Sequence, residues 1–185
     1  RKYFSFAPRR SKGRAAPGAR STISKYSISH HAGAWPGPLL KTGIGSSADP
    51  LTISTSVLTA TSDSGDIHLA QSSGDLRLRT LSTTGDVGLS LSNGGLSGDA
   101  GNLLAGDDVV VTAAGAVSGI NTQAGTLAVT TTTGDIDITE ADGLSRVDAR
   151  TGDGDVSIVS TTGNLGVGII QAGNPEDAEL GNVSL

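Results

Sequence analysis

Carboxylates recur along the last two thirds of the chain in a pattern that suits cation binding. Aspartate follows six of the glycines that return at a nearly constant interval, at Asp66, Asp75, Asp86, Asp107, Asp135 and Asp155. The acids are densest at Asp148, Asp153 and Asp155, and stacked carboxylates can ligate Ca²⁺, a hard cation that takes oxygen ligands. These three are the calcium candidates. Because the glycine intervals vary from 8 to 11 residues, regular ligation is not expected, and we predict no cofactor beyond weak calcium binding.

Acid–base catalysis is the second chemistry to consider, since it needs an acid paired with another acid or with a basic residue. The nearest candidates are Asp66 with His68 and, one repeat further on, Arg77 with Arg79. No long insertion is present to build a cleft, and no aromatic residue follows Trp35 to stack on a sugar ring. We therefore predict no catalytic residues and a protein that is not an enzyme, with His68 as an outward polar residue.

The candidate residues belong to one short motif: Gly, Asp or Asn, an aliphatic residue, any residue, and another aliphatic. Its copies begin at Gly65, Gly74, Gly85, Gly134, Gly154, Gly163 and Gly181. Glycine permits backbone angles that other residues avoid, and Asp or Asn beside it can bond nearby backbone amides. We therefore assign a structural turn role to Gly65, Asp66, Gly74, Asp75, Gly85, Asp86, Gly134, Asp135, Gly154, Asp155, Gly163 and Asn164.

The spacing of the turns predicts the architecture. With the degenerate repeats at Gly95, Gly106, Gly115 and Gly125 included, the period is about ten residues, which fits a turn and a strand of five or six residues. Two such units make a coil of about twenty residues, and a stack of identical small units is a solenoid. An antiparallel sandwich also fits short strands every ten residues, but the lack of aromatics favours a narrow, uniform core.

Alternation within each motif predicts which side chains face inward, because residues two apart in a strand share a face. The predicted inward set is Ile67, Leu69, Leu76, Leu78, Val87, Leu89, Val109, Val111, Leu127, Val129, Ile136, Ile138, Val156, Ile158, Leu165, Val167, Val183 and Leu185. Polar His68, Arg77, Asp137 and Ser157 are predicted to face outward. Parallel hydrogen bonds would join each coil to the next about 4.8 Å away.

Charge divides the chain into two parts. Residues 1–41 carry nine Lys or Arg and no acid, whereas residues 42–185 carry eighteen acids and four Arg. All five aromatic residues and five of the six prolines lie in the first fifty residues. We predict a disordered basic segment over 1–45 and a solenoid repeat domain, part of a longer array, over 46–185.

Composition also excludes several classes of protein. The chain has no cysteine, so disulfides and thiolate zinc sites are excluded. No stretch approaches eighteen apolar residues, so a membrane-spanning helix is not expected. The basic segment is a candidate electrostatic arm for nucleic acid or anionic lipid, but it has no folded platform beside it, and we predict a solvated tail that does not bind nucleic acid.

Two blocks of repeats, residues 104–115 and 131–139, resemble the repeats of filamentous haemagglutinin-like adhesins and other large bacterial exoproteins. The resemblance covers roughly residues 51–185 and implies a right-handed parallel β-helix of about six coils, secreted or displayed at the bacterial surface. It implies no cofactor and no catalytic residues, and partners that are host-cell or matrix surfaces, protein or glycan. The expected function is a structural, rod-like segment of an adhesin; the alternative is a carbohydrate-active β-helix enzyme, either a polysaccharide lyase or a hydrolase.

Overall fold

A computed structural model describes residues 43–173 and 181–185, and these residues form strands and turns without any helix. The strands are β1 (Leu51–Ile53), β2 (Val57–Thr61), β3 (Ile67–Gln71), β4 (Leu76–Ser82), β5 (Val87–Leu91), β6 (Leu96–Ala113), β7 (Val117–Thr131), β8 (Ile136–Glu140), β9 (Leu144–Thr151), β10 (Val156–Ser160), β11 (Leu165–Gln171) and β12 (Val183–Ser184). Among the described residues there is no helix long and apolar enough to cross a membrane. The prediction of a disordered N-terminal segment falls almost wholly outside them. Ile44, placed in that segment by composition, already pairs with Ile67 in the first coil.

All the strand pairs are parallel, and the strands stack in two ladders on opposite sides of the coil. Ladder 1 contains β1, β3, β5, the last part of β6, the last part of β7, β9 and β11. Ladder 2 contains β2, β4, the first part of β6, the first part of β7, β8, β10 and β12. The fold is thus a β-solenoid of about six coils, which confirms the prediction of stacked parallel strands and rejects the antiparallel sandwich.

The register gives the length of each coil. Along ladder 1 the aligned residues are Ile67, Val87, Val109, Leu127 and Val147. Their separations are 20, 22, 18 and 20 residues, so the predicted coil of about twenty residues is confirmed. From β3 to β9 the ladder 1 strands stay in step, whereas ladder 2 contains register shifts inside its strands, such as the one between Leu58 and Thr59 of β2.

Aliphatic side chains from both ladders meet along the axis of the solenoid. The predicted inward residues of β3, β4, β5, β8 and β10 and of the last parts of β6 and β7 are all buried. The last coil differs: Leu165 is only partly buried, and Val167, Val183 and Leu185 are about half exposed, at 51%, 48% and 58%. The prediction of burial was wrong for these four, because β11 pairs only with β9 and β12 only with β10 among the described strands, which leaves one side of this coil uncovered.

Strands β6 and β7 continue round a corner where the repeat pattern predicted turns. Gly106 lies within β6 and Gly125 lies within β7, and neither is among the glycines with positive φ. At Gly106 a Cβ would come within 2.9 Å of Val87 Cγ2 and 3.0 Å of Gly85 O. Glycine is needed there because the neighbouring coil approaches closely, so the prediction of a turn at Gly106 and Gly125 was wrong.

Candidate functional site

The corner that leads into ladder 1 carries a row of carboxylates, and each one holds the coil that follows it. Asp86 N donates to Asp66 Oδ1 at 3.1 Å, and Asp108 N donates to Asp86 Oδ1 at 3.3 Å. One coil further on, Thr126 Oγ1 donates to Asp108 Oδ1 at 2.7 Å. Sequence reasoning proposed bonds within a turn and did not foresee these bonds between coils, since the partners lie 18 to 22 residues apart.

The corner that leads into ladder 2 uses aspartate in the same way. Gly95 N donates to Asp75 Oδ1 at 2.9 Å, and Asp155 N donates to Asp135 Oδ1, also at 2.9 Å. Asn182 N then donates to Asp155 Oδ1 at 2.7 Å. All the turn residues assigned from the sequence lie in the bends directly before strands, and several of their carboxylates serve as acceptors between coils.

A groove runs across the outer face of ladder 1 over the first coils. Its volume is about 410 Å³, and its floor is Gly88, which aligns with His68 on one side and Val110 on the other. The groove is lined by Ser47, Pro50, His68, Leu69, Asp86, Val87, Gly88, Leu89, Ser90, Asp108, Val110 and Thr112. It is therefore a largely apolar depression with two carboxylates on one edge and hydroxyl groups on the other.

The groove exists because glycine occupies an outward position of a strand. A Cβ on Gly88 would clash with His68 Nδ1, so the imidazole lies over the space that a side chain would fill. His68 thus lies in the groove with Asp86 and Asp108. Asp66, its proposed partner from the sequence, belongs to the corner row and accepts the Asp86 amide. An imidazole and carboxylates that line one groove are groups of the kind that transfer protons.

The three calcium candidates have separate hydrogen-bonding partners. Asp148 Oδ2 accepts from Arg146 Nε at 2.9 Å, and its Oδ1 accepts from Ile169 N at 2.7 Å. These contacts lower the pKa of Asp148, with the Arg146 hydrogen bond as the largest cause. Asp155 Oδ1 accepts a hydrogen bond from Asn182 N. The backbone N and O of Asp153 form hydrogen bonds with Thr151 Oγ1. Within the described part of the chain, no group of three or more His, Cys, Asp or Glu side chains is arranged to hold a metal ion.

Arg77 and Arg79 lie on the outer face of ladder 2. Both contact Asp99 of the next coil, with Arg79 Nε at 2.9 Å from Asp99 Oδ2 and Arg77 Nη1 at 3.6 Å from Asp99 Oδ1. The arginine side chains are half or more exposed. The structure therefore pairs these arginines with an acid on ladder 2 and leaves Asp66 and His68 on ladder 1.

Sequence reasoning missed one buried acid, Glu140, at the end of β8. It is fully buried, accepts a hydrogen bond from Thr122 Oγ1 of the preceding coil, and accepts another from Asp142 N at 3.3 Å. Burial raises the pKa of Glu140, whereas hydrogen bonds with Glu140 and then Gln123 lower the pKa of Asp142. The signal was present in the sequence, because Glu140 continues the inward alternation of Ile136 and Ile138.

Fold and surface together define a parallel β-solenoid protein whose corners are tied by carboxylates. No protein-family model matches the chain, and neither the curated proteins nor the solved structures searched contain a match.

Proposed function

We propose that this chain is a non-enzymatic structural segment of a bacterial surface or secreted adhesin, acting as a rod-like spacer that presents an interaction surface. The observation that carries the proposal is the use of the corner carboxylates. Carboxylates of a type that can do chemistry, such as Asp75 and Asp135, accept backbone amides of the following coil. Carboxylates that hydrogen-bond to the next coil hold the stack together, which is a structural role.

The outer surface suits a role in binding more than in turnover. The described residues contain fifteen Asp or Glu and four Arg, and three of those arginines pair with Asp99 or Asp148. Such a surface attracts cationic partners over distances of about one Debye length, ~10 Å at 0.1 M salt. The resemblance to haemagglutinin-like repeats supports export and a host-cell or matrix partner, protein or glycan.

A coil duplication tests the spacer role. Leu127 and Val147 align in neighbouring coils, so a second copy of residues 127–146 inserted after Arg146 adds one complete coil. We expect the longest dimension in small-angle scattering to grow by about 4.8 Å, with cooperative unfolding retained. A scrambled insert of the same composition is the control. An insert that loops out, with no change in length, would count against a modular spacer.

The location can be tested on the bacterium that makes the protein. Antibodies against the chain should label intact cells or detect the chain in the medium, and external protease should remove the surface signal. A cytosolic enzyme serves as the control for leakage. Detection only after lysis would contradict the adhesin proposal while leaving the spacer role open.

A carbohydrate-active enzyme is the second candidate, and one observation favours it: His68 shares a groove with Asp86 and Asp108. Incubation with acidic and neutral polysaccharides, followed by analysis of reducing ends and unsaturated products, tests it directly. The structural proposal expects no product. Turnover that disappears in Asp86→Asn and His68→Ala, but survives in Arg79→Ala on ladder 2, would replace the structural proposal by the enzymatic one.

A further inference from the structure

We infer that the groove around Gly88 and Val110 is a docking site for the chain's own basic N-terminal segment, residues 1–42, and that it recognises an aromatic ring together with positive charge. Those residues lie outside the described part of the chain, and docking would replace the solvated tail that their composition predicts. The inference therefore rests on the groove, on the charge and composition of the segment, and on the point where the two meet.

The groove has an apolar floor and an acidic edge. The His68 imidazole lies over Gly88, and Val110 beside it is 48% exposed. Asp86 and Asp108 line the edge towards the corner. Although Asp86 Oδ1 accepts a backbone amide, that bond leaves the carboxylate its negative charge. An occupant that suits this surface combines an apolar ring with positive charge.

The N-terminal segment has that composition. Residues 1–41 carry nine Lys or Arg and no acid, and all five aromatic residues of the protein lie in the same stretch, as in Lys2-Tyr3-Phe4 and Lys25-Tyr26. Opposite charges on the segment and the solenoid favour association, and the aromatic rings supply the apolar area. The groove volume of about 410 Å³ exceeds that of one aromatic side chain.

The chain enters the solenoid at the groove itself. Ser47 and Pro50, a few residues after the N-terminal segment, form one wall, and Ile44 is already paired with Ile67. Trp35 precedes Ser47 by twelve residues, which an extended chain spans in at most about 40 Å. A short tether of this kind gives the segment a high effective concentration at the groove, as linked binding modules have.

The sequence provides the probes for a test in the full chain. Trp35 is the single tryptophan and the protein has no cysteine, so one introduced cysteine carries a fluorophore that tryptophan quenches at short range. Thr112→Cys places the label in the groove, and Ser118→Cys places it at an exposed outward position of ladder 2. We expect quenching by Trp35, measured against Trp35→Leu, to be several-fold stronger at position 112 than at position 118.

Charge and shape are tested separately. Asp86→Asn with Asp108→Asn keeps acceptor oxygens for the bonds between coils but removes two charges, and Val110→Glu places a charge on the floor without touching the core. Each should reduce quenching at position 112 several-fold, as should 1 M salt, where the Debye length is about 3 Å. Circular dichroism should show an unchanged solenoid.

Three results would overturn the inference. Equal quenching at positions 112 and 118 would show that the segment has no preferred site. Quenching that survives both the Asn pair and Val110→Glu would place the segment elsewhere. Quenching that falls on dilution would mean that a second copy supplies the tryptophan.

Discussion

The inward rows of the solenoid and its corner rows tolerate interruption differently. Along ladder 2 the inward row is unbroken through five coils, and each of its side chains is no more than 1% exposed: Leu76, Leu96, Val117, Ile136 and Val156. The corner row beside it is broken. Asp75 bonds the next coil, but Gly95 and Ala116 follow without a carboxylate before Asp135 resumes the series.

The difference follows from what each row contributes. A missing aliphatic side chain leaves a cavity, and the close-packed neighbours cannot fill it. A missing corner carboxylate removes one hydrogen bond while the backbone ladder remains: Leu96 N still donates to Ala116 O at 2.8 Å, and Val117 N to Asp135 O at 2.9 Å. Burial is therefore required in every coil, whereas a carboxylate clamp can be omitted.

The largest expected effect comes from two neighbouring valines that face opposite ways. Val109 is 1% exposed and Val110 is 48% exposed, so Val109→Ala removes buried hydrocarbon and Val110→Ala removes surface. We expect Val109→Ala to lower the free energy of unfolding by about 1.5–3 kcal/mol, and Val110→Ala to lower it by less than about 1 kcal/mol. Urea denaturation monitored by circular dichroism measures both. Equal losses would show that the inward row is not specially sensitive.

A smaller effect is expected at the corner. Asp135→Ala removes the acceptor for Asp155 N, and we expect a loss of about 0.5–1.5 kcal/mol, the net value of a typical hydrogen bond. Asp135→Asn keeps an acceptor oxygen and should recover most of that loss. Asp137→Ala, at an exposed outward position of β8, is the matched control, with a change within about 0.5 kcal/mol. If Asp137→Ala and Asp135→Ala lose the same amount, the clamp contributes nothing beyond surface charge.

Local patterns predicted the coil well. The turn residues and the alternation in stretches such as Ile136-Asp137-Ile138 act over a few residues, and they were enough to give the strands, the parallel stacking and most of the core. The hydrogen bonds between coils depend instead on which residues align in neighbouring coils. Because the coils vary from 18 to 22 residues, a repeat of fixed length does not predict that alignment. Gly106 and Gly125, although correctly spaced, lie inside strands, because glycine is required there by the close approach of the neighbouring coil and not by a turn.

The candidate site was predicted only in part. The sequence singled out His68 as an outward residue, but the groove also needs Gly88 and Val110 from the next two coils and Pro50 from the entering chain. Such a surface combines one position from each of several coils, and no single motif contains it. Glu140 was missed for a simpler reason: the repeated motif ends two residues earlier, at Ile138.

Glu140 belongs to both regions, because it ends an inward row and bonds the turn that follows. Burial raises its pKa, so between its unfolded and folded pKa values the native state binds more protons than the unfolded chain. Stability attributable to Glu140 is therefore fully present below the unfolded pKa and is lost as the pH rises through the folded one.

The smallest expected effect tests that sign. Glu140→Gln cannot ionise, so its free energy of unfolding relative to the natural chain should increase from pH 4 to pH 7. The lowered pKa values of Asp142 and Asp148 act in the opposite direction and at lower pH, where their contribution to stability is lost as the carboxylates protonate. Urea titrations from pH 4 to pH 7, with Asp137→Asn as an exposed control, therefore follow the Glu140 effect alone. If the difference in free energy of unfolding between Glu140→Gln and the natural chain does not change with pH, the interior accommodates the Glu140 carboxylate charge as easily as a corner does. The difference between inward rows and corner rows would then not apply to ionisable side chains.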